Sequence, residues 1–311
     1  MSSTGQPKRV LVVGDVMTDI VVRLSGPIAP GADTPAQIDA TPGGSGANQA
    51  AWLAWSGADV TFAARVGAGD VAAQSKALAA IGVNPVLVGD PERPTGRLIA
   101  LVDAGGERSF LTDRGANENL CADDLPEALL DGVGLLHVSG NAFFAPSPRA
   151  GVLALMEAAR RRAIAVSVDP CSTSFLKMVG VANFLQWTSG ADLCFPNLAE
   201  AETLSGATDP DARLAALLAH YPLLIVKDGA RGAHLFTDGG GKKISCAAPV
   251  VQVIDTTGAG DALLGGFLAA WLAGKGLEFC LLAAVKAGTL AVQQIGGRPP
   301  LATNKIMAPT R

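Results

Sequence analysis

Short runs of apolar, often β-branched residues recur along the chain, separated by longer Ala- and Leu-rich segments. The runs Val10–Val13, Asp59–Ala63, Leu135–Val138, Ile164–Val168, Leu193–Phe195 and Leu223–Val226 predict strands. The segments Ala47–Ser56, Ala72–Ala80, Pro148–Arg162, Asn197–Ser205, Asp211–His220, Gly258–Ala273 and Ala283–Gln294 predict helices. Strands that alternate with helices build βαβ units around a parallel sheet. Strand runs without polar alternation fit burial on both faces. The rhythm therefore predicts an α/β fold in which helices cover both faces of a mostly parallel sheet.

Two stretches break the rhythm. Residues 20–40 and 95–112 mix polarity, carry β-formers and turn residues such as Gly31, Pro35, Gly105 and Gly106, and lack helical periodicity. They predict a small accessory sheet inserted as a lid into a single domain spanning residues 1–311, with no internal repeat and no charge block.

Composition narrows the function classes. The chain has 311 residues, 49% apolar and 17% charged, which is too apolar for a disordered chain and enough for a large core. A formal net charge of −4 supplies no basic footprint for nucleic acid. The five cysteines, Cys121, Cys171, Cys194, Cys246 and Cys280, form no CxxC pair, and His137, His220 and His234 form no HxxxH pair. Scattered thiols fit a reducing compartment. The polar segment Met1–Arg9 leads into an apolar run too short for a signal sequence, and no apolar stretch is long enough to span a membrane. The expectation is a cytoplasmic protein with no membrane and no nucleic-acid partner.

The chemistry concentrates in Asp255-Thr256-Thr257-Gly258-Ala259-Gly260-Asp261, immediately before an apolar helix. Small residues at Gly258, Ala259 and Gly260 leave backbone N–H groups uncovered, and a helix start adds its own donors, which together make an anion site. Asp261 falls in the first helical turn beside it. A carboxylate there is placed to take a proton from a hydroxyl while the amides stabilise charge on a transferring group, an arrangement suited to phosphoryl transfer. The same string also serves as an ordinary capped helix, with Asp255 or Thr257 as the cap. No Walker A pattern is present: the stretch Gly239–Lys243 has lysines at the wrong spacing. No GxGxxG follows the first strand, which speaks against a nicotinamide-dependent dehydrogenase.

The seven-residue string resembles the signature of the ribokinase-like, or PfkB, family of carbohydrate kinases. The likeness extends through Val13-Gly14-Asp15-Val16-Met17-Thr18-Asp19, Gly43-Gly44-Ser45-Gly46-Ala47-Asn48-Gln49-Ala50, Thr95-Gly96, Gly115-Ala116-Asn117, Pro196-Asn197-Leu198-Ala199-Glu200 and Lys227-Asp228-Gly229 to Gly232, in the family's order. It implies a ribokinase-like three-layer α/β sandwich with a small β-sheet lid. The implied activity is transfer of the γ-phosphoryl of ATP to a hydroxyl of a small sugar. A nucleoside kinase of the same family and a non-catalytic sugar or nucleotide sensor are the rival readings.

The resemblance also implies roles. Asp261 is the general base, with Gly258, Ala259 and Gly260 as the anion hole. Asp19, Gly43, Gly44 and Asn48 bind substrate. Asn197, Lys227, Gly229 and Gly232 bind ATP, and Glu200 holds Mg²⁺ through water. Asp255 and Thr257 hold a monovalent cation such as K⁺, or Asp255 only caps the helix. Relatives are often dimers through the lid. Ser45 stands where ribokinases usually carry Lys, and Asp169-Pro170 resembles fructokinase-type relatives; both point away from ribose. Arg97, Arg108 and Arg114 hold an anionic substrate group if they converge, but residues alternating across a strand cannot all do so. Asp228 is an unexpected acid beside a nucleotide loop, and its role stays open. Trp52, Trp55 and Tyr221 read as core. Phe143 and Phe144 border the pocket or pack the core.

Overall fold

The computed structural model describes residues 9–103, 105, 108–237 and 243–301. Gly106, most of the stretch 239–243, and residues 1–8 and 302–311 of the termini lie outside the described residues. The strands, in chain order, are β1 (Arg9–Val13), β2 (Met17–Leu24), β3 (Ala36–Gly43), β4 (Val60–Gly67), β5 (Val83–Asp90), β6 (Thr95–Val102), β7 (Arg108–Gly115), β8 (Val133–Ser139), β9 (Ala165–Asp169), β10 (Leu193–Cys194), β11 (Leu223–Lys227), β12 (Ala233–Thr237) and β13 (Lys243–Cys246). The helices are α1 (Ser45–Trp55), α2 (Val71–Ala79), α3 (Pro146–Arg161), α4 (Thr173–Val179), α5 (Val181–Trp187), α6 (Leu198–Ser205), α7 (Pro210–Leu218), α8 (Ala259–Leu272) and α9 (Leu277–Ala291).

Nine strands form the main sheet in the order β13-β12-β11-β10-β9-β8-β1-β4-β5. Every pair from β11 to β5 is parallel; β12 and β13 add an antiparallel edge. The central strand shows how the layers arise. Val10 and Val12 of β1 face one apolar cluster with residues of α1, α8 and α9, while Leu11 and Val13 face the other with residues of α3, α5 and α6. Four successive fully buried aliphatic side chains thus serve two cores, as a parallel strand covered on both faces requires.

The second sheet has the order β3-β2-β6-β7, with β2 and β6 parallel and the outer pairs antiparallel. It is built from the two stretches that broke the helical rhythm. Its boundaries run wider than the sequence pattern: β2 starts at Met17, so Asp19 lies inside this sheet's first strand rather than after a main-sheet strand. One face presents Val21, Leu98, Ala100 and Phe110 to a cavity. The opposite face carries Ile20, Val22, Ile38, Ile99 and Leu111, with Ile38 and Leu111 exposed.

Five elements, β5, β12, β13, α4 and α5, escaped the pattern. Strand β5 contains Pro85 and Gly89, tolerable because β5 is an edge strand. The β12–β13 hairpin is short, and Gly180 divides α4 from α5. Helix α9 begins earlier than its apolar periodicity suggested.

Packing of α8 positions the site. A Cβ on Gly265 would lie 2.7 Å from Trp52 Cβ, and one on Gly266 would lie 2.6 Å from the Ala283 carbonyl oxygen. The adjacent glycines let α1 and α9 approach α8 closely from two sides. Trp52 is fully buried, packs edge-on against Trp55, and donates from Nε1 to the Gly297 carbonyl at 2.9 Å. The predicted outcome for Gly265→Val is a loss of about 1–3 kcal/mol from overpacking the α1–α8 contact. Urea denaturation measures it; an unchanged midpoint contradicts this account of the helix approach.

Candidate active site

The loop before α8 is shaped by Asp255. Its Oδ1 accepts from the Thr257 amide (3.0 Å) and hydroxyl (2.8 Å), and its Oδ2 accepts from the Gly296 amide (3.1 Å). Asp255 therefore folds the loop and ties it to the C-terminal segment. The helix cap itself is Gly258, at φ 74°, in the left-handed region that favours glycine. The Ala259 amide donates to the Thr256 carbonyl at 3.3 Å. Among the described residues no hydrogen bond occupies the amides of Gly258, Gly260 and Asp261. The Ala259 amide is thus engaged within the loop, whereas those of Gly258, Gly260 and Asp261 are left open at the start of α8.

Asp261 projects from this first turn and is held from α1. Asn48 Nδ2 donates to its Oδ2 (3.2 Å) and Gln49 Nε2 to its Oδ1 (3.0 Å). Gln49 Nε2 also donates to Asp169 Oδ2 at 3.2 Å. Behind Gln49, its Oε1 lies 3.0 Å from His137 Nε2, and His137 Nδ1 lies 2.8 Å from Ser167 Oγ. Burial keeps His137 neutral, with its pKa pushed down to about 3. The Nε2–H tautomer satisfies the network: it donates to Gln49 and accepts from Ser167. Gln49 is thereby turned with its amide NH₂ toward the carboxylates.

Lys227 closes the network from β11, with Nζ 3.0 Å and 2.9 Å from the two Asp169 oxygens. Burial works against its charge, but Asp169 and Glu200 outweigh it and hold the ammonium above its usual range. Burial, and after it the Asp169 charge, pushes Asp261 well above the ordinary carboxylate range; Lys227 and Asn48 pull the other way.

A cavity of about 1270 Å³ opens between the small sheet and this network. Asp19, Gly44, Asn48, Asp255, Thr257, Gly258 and Asp261 line it together. Gly43 lies directly beneath: a Cβ there would collide with the Asp19 carboxylate. Asp19 is pushed up to about 6, chiefly by burial and then by Asp15, while Arg298 opposes the shift. Asn48 Oδ1 is buried without a hydrogen-bond partner beside Asp261.

The residues expected at the nucleotide stand off this cavity. Asn197 and Glu200 form a reciprocal capping box at the start of α6: Asn197 Oδ1 accepts from the Glu200 amide (2.9 Å) and Glu200 Oε2 from the Asn197 amide (2.8 Å). Lys227 was expected in an open nucleotide loop; the structure turns it inward onto Asp169, which needs its charge more than solvent does. Gly229 and Gly232 shape the following turn, and Gly232 at φ 99° packs against Cys246. Asp228 accepts from Arg231 (2.6 Å) and lies 3.3 Å from His234 Nε2, so it braces that turn. Arg97 is exposed on the outer face of the small sheet, Arg114 lines the cavity, and the side chain of Arg108 lies outside the described residues. Phe143 is core against Phe184, whereas Phe144 packs on Phe175. Tyr221 is buried with its hydroxyl 2.7 Å from Thr188 Oγ1.

Sequence reasoning gave no role to Gln49, His137, Asn141 or Arg298. It quoted Asp169 without assigning it chemistry, although a carboxylate at the carboxyl end of a parallel strand sits where α/β sheets bind ligands. Asn141 donates to Asp15 Oδ2 (3.1 Å), and Asp15 Oδ1 accepts from the Gly46 amide (2.9 Å).

Comparison with known proteins shows the family and the fold. The family model described as "pfkB family carbohydrate kinase" matches residues 7–304. The bifunctional protein HldE of Shewanella sp. (strain ANA-3) is 31% identical over 302 residues, covering 91% of this chain and 60% of that protein. The chain thus spans about three fifths of the length of such curated relatives. A probable sugar kinase from Rhizobium etli CFN 42 superposes with a TM-score of 0.83 at 25% identity, covering 94% of this chain and 95% of the other. Arabidopsis thaliana ribokinase, solved with ribose and ATP, superposes with a TM-score of 0.74 at 26% identity, covering 94% of each chain.

Were Asp261 the base of a reaction in this cavity, the pH dependence of that reaction would follow it. A base acts when deprotonated, so kcat/KM is expected to rise with pH through an ionisation above the ordinary carboxylate range. Asp169→Asn removes the like charge and leaves Lys227 unpaired; both changes favour the Asp261 carboxylate. The limb should move to lower pH by about one pH unit or more. A pH–rate profile with that limb fixed, or moved to higher pH, contradicts the assignment.

Proposed function

Because this chain belongs to the pfkB family of carbohydrate kinases, phosphotransferases with an alcohol acceptor, we propose that it transfers the γ-phosphoryl of ATP to a hydroxyl of a small sugar or sugar derivative. The observation that carries this reading is Asp261 with Asn48 beside it. A carboxylate held by two amide donors stands at the mouth of open helix-start amides, and the unpartnered Asn48 Oδ1 offers an acceptor to a second sugar hydroxyl. Asp261 takes the proton of the accepting hydroxyl, and the Gly258, Gly260 and Asp261 amides face the charge on the transferring group. Asp19, from the small sheet, accepts from sugar hydroxyls. The small sheet over the cavity keeps water from competing with the sugar.

ATP supplies the phosphoryl group and Mg²⁺ neutralises its charge. The residues fit a metal that arrives with the nucleotide. Among the described residues no group of three His, Cys, Asp or Glu side chains forms a cage, and Mg²⁺ takes few protein ligands and keeps its waters. Glu200 has one oxygen committed to the Asn197 amide, so it serves that metal through water. Asn197, Gly229 and Gly232 border the nucleotide, with Lys227 acting from beneath through Asp169. A monovalent cation such as K⁺ at Asp255 and Thr257 would stiffen the loop those residues already fold.

A nucleoside acceptor is the second reading. The apolar row Val21, Leu98, Ala100 and Phe110 beside Asp19 offers a surface to a base.

ADP release with ATP and Mg²⁺ tests the proposal against sugars, sugar phosphates, sugar acids and nucleosides, in K⁺ and in tetramethylammonium buffers. A sugar-dependent signal is expected, faster in K⁺, with Asp261→Asn lowering kcat by at least about 100-fold. Near-normal turnover by that variant refutes the base. A nucleoside as best acceptor selects the second reading, and binding without turnover selects a sensor.

A further inference from the structure

The cavity is lined by five carboxylates, Asp15, Asp19, Asp39, Asp255 and Asp261, and by two arginines, Arg23 and Arg114. Arg23 is spoken for, with Nη1 2.6 Å from Asp39 Oδ2. Arg114 has no carboxylate partner among the described residues. Its Nη2 donates to Asn141 Oδ1 at 2.9 Å, and its Nε is buried with no hydrogen-bond partner.

This side chain is fixed. The guanidinium carbon lies 4.2 Å from the Phe175 ring centroid and 5.4 Å from that of Phe144, and the two rings pack on each other. Its backbone is fixed as well: the Arg114 carbonyl accepts from Asn117 Nδ2 at 2.8 Å, and Asn117 is bonded to both the amide and the carbonyl of Val16. Asn141, which orients the guanidinium, is itself held by Asp15. Arg114 lines the cavity, and a planar, always-charged fork stacked on aromatic rings with no carboxylate of its own is built to receive an oxyanion there. Ser172 and Ser174, just before Phe175 in the chain, line the same cavity.

The charges also set a direction. Asp19 and Asp261, beside the unpartnered Asn48 oxygen, accept from hydroxyls and repel an anion. Arg114 attracts one. A ligand carrying both groups therefore enters in a single orientation.

We infer that Arg114 is the anchor of an anion subsite, and that the acceptor is a small sugar bearing a phosphate or carboxylate at the end remote from the hydroxyl facing Asp261. The inference rests on the kinase reading for its hydroxyl end and on Arg114 alone for its anionic end. Of the three lid arginines singled out in the sequence, Arg97 takes no part, because strand alternation puts it on the outer face.

Matched pairs test it: glucose, fructose and ribose against glucose 6-phosphate, fructose 6-phosphate and ribose 5-phosphate, with gluconate and galacturonate as carboxylates. The quantity read is the ratio of kcat/KM for the anionic sugar to that for its neutral parent. In the wild type at least one pair should favour the anion by about 100-fold or more, the scale of a charge-assisted contact made in a shielded site. Arg114→Gln should bring that ratio to within about tenfold of unity, and Arg114→Lys should fall between, keeping charge but losing the stacked fork. ATP affinity, measured in parallel, reports that the variants are folded. A neutral sugar or nucleoside as best substrate, or a ratio that survives Arg114→Gln, overturns the inference. Equilibrium binding of the same anionic sugars to the Asp261→Asn protein separates the two claims. Arg114-dependent binding without wild-type turnover keeps the subsite and removes the kinase reading. Absence of any Arg114-dependent binding or turnover removes the subsite. The phosphate and carboxylate arms tell which anion it takes.

Discussion

The largely shielded ammonium of Lys227 lies against the buried Asp169 carboxylate, and the site is assembled around that pair. Removing either partner leaves a buried charge uncompensated, a loss of about 3–5 kcal/mol. Its value here is positional. Asp169 shares the Gln49 amide with Asp261, so the ion pair on β9 and β11 fixes the side chain that holds Asp261 on α8. His137 and Ser167 complete the constraint by dictating which way Gln49 faces. A carboxylate in such surroundings holds a proton more tightly than one in water, which suits the base role proposed for Asp261.

The cavity is the joint product of two sheets. The main sheet supplies, at the carboxyl ends of its parallel strands, Asp169 and Lys227, with Asp15 just past β1. The small sheet supplies Asp19 and Arg114 and an apolar wall. Between them, Asp255 ties the loop before α8 to the segment around Gly296, and that segment carries Gly297 against Asn48 and Trp52. Arg298 follows at once, close to Gly43 and Asp19, with burial drawing its pKa down to about 10. Part of the site's electrostatics therefore comes from chain beyond the last helix.

Much of this was legible in the sequence because it is local. Aliphatic runs such as Val10–Val13 declare buried parallel strands, and the glycines around Asp261 declare an open helix start. The seven-residue string, the Val13–Asp19 segment and the Gly-Gly segment pointed to the family and to Asp261, Asp19 and Asn48, which the structure brings to one cavity. The rest was illegible because it is made by topology. Asn48 and Asp261 meet across 213 positions, and Gln49 and Asp169 across 120. No spacing rule predicts that Lys227 turns inward or that Arg298 comes back to Gly43. The three lid arginines looked equivalent until strand register put Arg97 and Arg114 on opposite faces. The reciprocal cap that Asn197 and Glu200 build at the start of α6 is local, yet it was not read from their spacing.

The central claim is that buried neighbours raise the proton affinity of Asp261, and direct titration of that carboxyl tests it. Protein labelled with ¹³C at the aspartate carboxyl carbon, compared with the same sample carrying Asp261→Asn, isolates one resonance. The account predicts that this resonance titrates well above the usual carboxylate range of about 4. A resonance that titrates near that value would contradict it, and would leave the Asp169–Lys227 pair with no part in tuning the base.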